Sequence, residues 1–252
     1  MSRSNPTNNT PNPASKWIEW GGADGSLSYY DKTDKKKVPV PIPFTFLVLD
    51  ELSAIRGWHE SSGSNIFSNE VRGTANEVLS VKSFKGGPIA EGLYKDIKDK
   101  VGNAGGHFVS NIYIGIKKDQ HSPLEIAVMS FKGAAVSAWF EFKKSAKDLL
   151  KGAVTLTGSL VGQKGSVKYR YPVFQTTPVS DETNEAALEL DKQLQEYLTS
   201  YFRRIKEQSA PGVASHPTED EGSWIDDGER LSSPGPGERN DPEDIPFSER
   251  PF

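Results

Sequence analysis

The chain of 252 residues contains no cysteine, two methionines and four histidines. Without cysteine, disulfides and thiolate metal sites are excluded. His59, His107, His121 and His216 have no metal-ligand spacing, so no metal and no cofactor is expected. No apolar run reaches the roughly 18 residues of a membrane-spanning helix, and no signal peptide is visible. These absences predict a cytoplasmic protein with no membrane partner. Catalytic motifs are also missing. Residues 102–106 are glycine-rich but lack the Lys-Ser/Thr of a phosphate loop. Asp50 and Glu51 are adjacent carboxylates, and neighbours on a strand point to opposite faces, so they would not converge on magnesium. The expectation is a protein that is not an enzyme, with a metal-dependent nuclease as the weaker alternative.

What the chain does have is a split of charge. Residues 1–206 hold 27 Lys+Arg and 22 Asp+Glu, a net +5, while residues 207–252 hold 3 and 12, a net −9; together they give −4. A basic body with an acidic tail suits a polyanion-binding domain whose tail partly mimics the polyanion. Residues 1–15 are rich in Asn, Pro, Ser and Thr, and residues 207–252 are rich in Gly, Pro and acid, which predicts disorder at both ends. About 190 residues remain, enough for a single core.

The body, residues 16–206, reads as mainly β with a few helices. Residues 16–20 predict a strand closed by Gly21-Gly22, and 38–43 an extended edge segment with alternating prolines. Residues 44–58 predict one long strand, bent or bulged near Gly57. Shorter strands follow at 65–71 and 78–84, then a helix over 89–101 from the spacing of Ile89, Leu93, Ile97 and Val101. Residues 108–116 alternate, with Ile112, Ile114 and Ile116 on one face and Asn111, Tyr113 and Lys117 on the other. A strand at 124–131 follows. Residues 134–150 fit a strand through Val136, Ala138, Phe140 and Phe142, with a short helix from 145 to 151. Segments 154–160 and 166–174 predict a hairpin turning at 162–165. Residues 181–206 predict a helix capped by Asp181, with Leu188, Leu190, Leu194, Leu198 and Phe202 as its apolar stripe. The order of strands, helix, strands is what an oligonucleotide-binding (OB) barrel with elaborations requires. A β-sandwich stays open as the alternative.

Binding of single strands needs cations interleaved with stacking rings, each stacked base contributing about 1–3 kcal/mol. The outward strand positions supply both. Arg56 pairs with Trp58, Lys82 with Phe84, Tyr113 with Lys117, Trp139 with Lys143, and Lys168 with Arg170 on faces away from the expected core; Lys132 completes the set. Trp139 and Tyr113 lead it.

The chain ends in Asp241-Pro-Glu-Asp-Ile-Pro-Phe-Ser-Glu-Arg-Pro-Phe252. Prolines at 242, 246 and 251 prevent helix and ladder, leaving an extended acidic peptide with Phe247 and Phe252 in water. Glu243, Asp244, Ile245, Pro246 and Phe247 resemble the acidic tip of bacterial single-stranded-DNA-binding proteins, a design that bacteriophage counterparts share. In that family the tail ends at Ile-Pro-Phe; here Ser248 to Phe252 follow, with Pro251-Phe252 as a second aromatic end. The resemblance implies coating of single-stranded DNA in phage DNA replication, recombination and repair. It also implies recruitment of polymerase, helicase or primase through the tail, in the cytoplasm of the host cell. A homo-oligomer is compatible with it. The alternative is a structural or virion β-domain with a solubilising tail.

Overall fold

The computed structural model describes residues 10–117, 122–146 and 148–208. Tail residues Asp244, Ile245, Pro246, Phe247, Pro251 and Phe252 lie outside them. The described chain is built on one mixed sheet. Its strands are β1 (Trp17–Gly21), β2 (Ser26–Asp31), β3 (Lys36–Val40), β4 (Phe44–His59), β5 (Ser64–Ser68), β6 (Leu79–Ser83), β7 (Gly87–Gly92), β8 (Gly106–Lys117), β9 (Leu124–Lys132), β10 (Gly152–Lys164) and β11 (Val167–Pro178). Three helices complete it: α1 (Tyr94–Asn103), α2 (Ala134–Ser145) and α3 (Asp181–Gln208). The strand path runs β3-β2-β1-β9-β8-β4-β5-β6-β7, with β10 on β4 and β11 on β10. Pairing is antiparallel except for β1 beside β9.

β4 is the spine because its sixteen residues can serve three neighbours. One edge pairs with β8 from Leu47 to Gly57. The other takes β10 at Phe44 to Leu47 and β5 at Arg56 to His59. The bulge that bends it falls between Val48 and Asp50. Gly57 has a different task, since a Cβ there would meet the Gly105 carbonyl oxygen at 2.1 Å. The sheet stays open. β11 touches β1 and its turn through two bonds, Arg170 N–H to the Gly22 carbonyl (2.7 Å) and the Trp20 indole N–H to the Arg170 carbonyl (3.0 Å). An OB-like barrel is therefore not closed by backbone pairing. The edge strand β3 carries Pro39, which removes a donor from an otherwise sticky edge.

The two-residue alternation of β8 sorts the sheet into two cores. Ile112, Ile114 and Ile116 enter the first, with Phe46, Ile55, Met129, Phe131, Trp139 and Leu156. Tyr113 enters the second, on the opposite face, with Leu52, Val128 and the α3 residues Leu190, Leu194, Tyr197, Leu198 and Tyr201. Of the expected α3 stripe, Leu190, Leu194 and Leu198 are buried in this core and Phe202 packs against it, whereas Leu188 is 62% exposed and Tyr197 and Tyr201 take the remaining buried places. Its cap is Ser180, whose hydroxyl accepts the Thr183 N–H at 3.3 Å; Asp181 lies inside the first turn.

Other expected boundaries also move. Ile89 belongs to β7, and the following helix starts at Tyr94, past Gly92 with φ +152°. The segment 134–142 is helical, not a strand. Its apolar residues satisfy both periods, and Ala135, Val136 and Trp139 are the ones a helix buries. The hairpin turn lies past Lys164, at Gly165 with φ +59°. Order begins before residue 16: Ala14 is buried in the second core, and the Ser15 N–H reaches the Ile126 carbonyl at 2.8 Å. β2 went unread in the sequence because only Leu27 and Ser28 of its six residues are buried. Among the described residues, no helix is long and apolar enough to cross a membrane.

Candidate nucleic-acid interface

The two rings expected to lead the site are sealed. Trp139 is 0% exposed and packs against Phe46, Phe131, Phe142 and Phe174, with ring centroids 5.3–6.4 Å away. Its indole N–H donates to Glu51 Oε2 at 3.1 Å, and Lys143 Nζ donates to the same oxygen at 2.6 Å. Ser110 Oγ donates to Glu51 Oε1 at 2.7 Å. The four residues anchor α2 to the sheet, with Trp139 sealed and the Lys143 side chain partly exposed.

Tyr113 is also 0% exposed, because α3 lies across the face that alternation assigned to it. Its hydroxyl donates to Glu70 Oε2 at 2.8 Å, and Asn111 Nδ2 donates to Glu70 Oε1 at 2.6 Å. The Glu70 N–H donates to the Tyr201 hydroxyl at 2.7 Å, joining α3 to this seam. Burial first, and then the charge of Glu70, push the Tyr113 phenol well above its ordinary value of 10.0. The native phenol therefore stays protonated where the unfolded one ionises. Its contribution to stability is complete below pH 10 and falls as pH rises above it. Urea unfolding should accordingly show a midpoint that declines above about pH 10, and Tyr113→Phe should flatten that decline. An equal decline in both proteins would remove Tyr113 as its source.

Asp50 and Glu51 diverge, as adjacent strand residues must. Glu51 meets Trp139 and Lys143, while Asp50 accepts from Arg72 Nη1 (2.9 Å) and Gln195 Nε2 (3.0 Å) beneath α3. Among the described residues no group of three or more His, Asp or Glu is placed to hold a metal ion.

The remaining expected residues fall in separate places. Lys117 and Lys132 are exposed at opposite ends of the β8–β9 ladder, paired with Leu124 and Val109. Arg56, Trp58, Lys82 and Phe84 come together at the far end of β4. Lys168 and Arg170 lie on β11, within the arm formed by β10 and β11 beyond their last contact with β4 at Leu156.

Counted from its root at Leu149, the hairpin that forms the arm carries charge of one sign only. From Leu149 to Ser180 the chain has Lys151, Lys164, Lys168 and Arg170 and no carboxylate. Phe174 points into the first core, so the two-residue period puts Pro172, Arg170 and Lys168 on that side and Val173, Tyr171 and Tyr169 on the outer one. This reverses the expectation that the cations face outward and the rings inward. Arg170 braces the arm: its Nη1 donates to Ser159 Oγ at 3.3 Å, and its side chain fills the space a Cβ on Gly25 would need. Lys164 and Lys168 are exposed near the tip.

The outer side of the arm carries the rings. Tyr169 and Tyr171 are half-buried, their centroids 6.4 Å apart at 47°. Tyr169 lies across Gly162, its cross-strand partner, where a Cβ would meet the ring at 2.4 Å. Leu160, opposite Tyr171, is 54% exposed. Alternation with Lys168 and Arg170 on an outward face leaves these tyrosines on the expected core side, and so outside the expected site. The usable signal was Gly162 opposite Tyr169, a site where a ring can lie flat on a strand pair.

Compared with protein-family models, curated proteins and solved structures, the chain matches none.

The arrangement supplies two tilted rings, two exposed lysines and an absence of acid on one projecting hairpin. Chemically it can stack bases and neutralise phosphates, and it has no feature that selects one base.

Proposed function

We propose that the chain binds single-stranded DNA without sequence preference through the β10–β11 arm, and that its acidic tail recruits partner proteins of phage replication and recombination. The observation that carries this reading is the arm, with its paired outward tyrosines, exposed Lys164 and Lys168 and no carboxylate from Leu149 to Ser180. The pairing pattern supports an elaborated OB-like plan: β4, β8, β9, β10 and β11 in chain order, β4 beside both β8 and β10, and α2 between β9 and β10. Such a barrel binds oligonucleotides with the face of its second and third strands and with its loops, including the hairpin between its last two strands. Here α3 covers the face of β8 and β9, which leaves the hairpin.

The test is a gel shift with oligo-dT and oligo-dA at moderate salt. Retardation of both is expected; retardation of neither would favour a domain that binds protein through exposed Leu160 and Val161.

The tail enters as a competitor. Residues 209–252 hold 11 Asp+Glu and 3 Lys+Arg, a net −8, and follow directly on α3. Deleting them should tighten DNA binding several-fold at low salt, with the gain fading as salt rises, and should abolish partner recruitment. If truncation changes neither, the tail has no part in binding.

A further inference from the structure

We infer a second contact for single-stranded DNA at the opposite end of β4, where four residues separated in sequence form one outward patch. This rests on the reading of the arm as a DNA site and extends it.

Register builds the patch. Arg56 lies opposite Phe67, and Phe67 opposite Lys82. Two residues on, Trp58 lies opposite Asn65, whose carbonyl accepts the Phe84 N–H at 2.9 Å. Ile66 enters the first core, so its neighbours Asn65 and Phe67 project from the opposite face, and their cross-strand partners with them. On that face Arg56 and Lys82 thus flank Phe67, which is buried, and Trp58 and Phe84 flank Asn65. Phe84 is 47% exposed and Trp58 half-buried. The Lys82 ammonium sits 5.0 Å from the Phe67 centroid. The Arg56 guanidinium is fixed by two bonds of 3.2 Å, to the carbonyls of Ile55 and Ser68, and lies 5.9 Å from the Trp17 ring. These cations are held in place before any ligand arrives, which lowers the entropy cost of binding.

α3 adds charge to the same corner. Its contacts advance along β8 from Gly115, met by Leu190, through Asp50 opposite Tyr113, met by Gln195, to Glu70 at Asn111, met by Tyr201. The next positions on that course are Val109, opposite exposed Lys132, and His107, opposite Arg56. The last turns of α3, which carry Arg203, Arg204 and Lys206, therefore point toward the patch.

Along β4, Phe44 and Arg56 are twelve residues apart, roughly 40 Å. A single strand long enough to reach from arm to corner gains both sets of rings, and a short one gains only the first. Arg56, Trp58, Lys82 and Phe84 hence act on long DNA, with Lys132 at the margin.

The experiment measures the affinity of the full chain for oligo-dT of about eight and about thirty nucleotides at one salt concentration. Trp58→Ala with Phe84→Ala should weaken binding of the long oligomer about tenfold or more and change the short one less than about twofold. Trp58→Phe keeps a ring and should leave both near wild type. If the double variant loses both lengths together, Phe84→Ala alone, at an exposed position past the strand, decides by the same length dependence. Unchanged affinity for long DNA, with Tyr169→Ala and Tyr171→Ala still weakening both lengths, overturns the second contact and leaves the arm. Wild-type protein that binds neither length overturns the arm and the corner together.

Discussion

Replacing Tyr169 and Tyr171 together by alanine is expected to weaken binding of single-stranded DNA by roughly 30- to 1,000-fold. Each ring supports about one stacked base at 1–3 kcal/mol, so the pair contributes about 2–4 kcal/mol after partial compensation by the lysines. The fold should survive, because both side chains stand on the outer side of the arm and neither belongs to the two cores. Phenylalanine at both positions retains the π-faces and should stay within about threefold of wild type. Fluorescence anisotropy with labelled oligo-dT measures the difference. Alanine variants that bind like wild type would remove stacking from the account, and with it the case for a nucleic-acid ligand over a purely electrostatic one.

The largest effect on stability belongs to Trp139. Trp139→Ala empties the centre of a cluster of four phenylalanines and leaves the Glu51 carboxylate without one of its three donors. Large-to-small changes of a buried tryptophan cost about 3–5 kcal/mol, and the lost hydrogen bond to a charged group adds to this. A fall of that size in urea unfolding is expected, with DNA affinity of the remaining folded fraction unchanged. An exposed stacking residue would give the opposite pattern, full stability with weak binding. Trp139→Phe should fall between, filling most of the volume without the N–H.

The alternation of β8 was legible because Ile112, Ile114 and Ile116 have an unambiguous period of two. Alternation states which residues share a face but not what covers that face. The failure at Tyr113 comes from there: α3, some 75 residues further along the chain, buries the side that looked outward. At Trp139 the period itself misled. A segment reading Ala-Ala-Val-Ser-Ala-Trp-Phe-Glu-Phe has so few polar residues that strand and helix patterns fit equally, and packing against β9 and β11 decides. The edge strand β3 was readable in part from Pro39, whereas β2 offered only two buried residues to read.

The site divides in the same way. Arg56 with Trp58 and Lys82 with Phe84 were each visible as a cation two residues from a ring. Their convergence was not, because it depends on the registers of β4 with β5 and of β5 with β6. The tyrosines of the arm were lost to the assumption that rings on a strand face inward. That assumption holds while the strand lies on the sheet, and it lapses beyond Leu156, where β10 and β11 continue without β4.

The claim that a cationic, ring-bearing arm holds single strands is tested most directly by the salt dependence of oligo-dT binding to the full chain. For oligo-dT of about eight nucleotides, which reaches only the arm, engagement of Lys151, Lys164 and Lys168 predicts that the logarithm of the association constant falls linearly with the logarithm of salt concentration, with a slope near −2 for a single strand. Lys164→Ala with Lys168→Ala should bring that slope to about −0.7. No measurable binding at low salt, or binding whose salt slope ignores both lysines, would contradict the account.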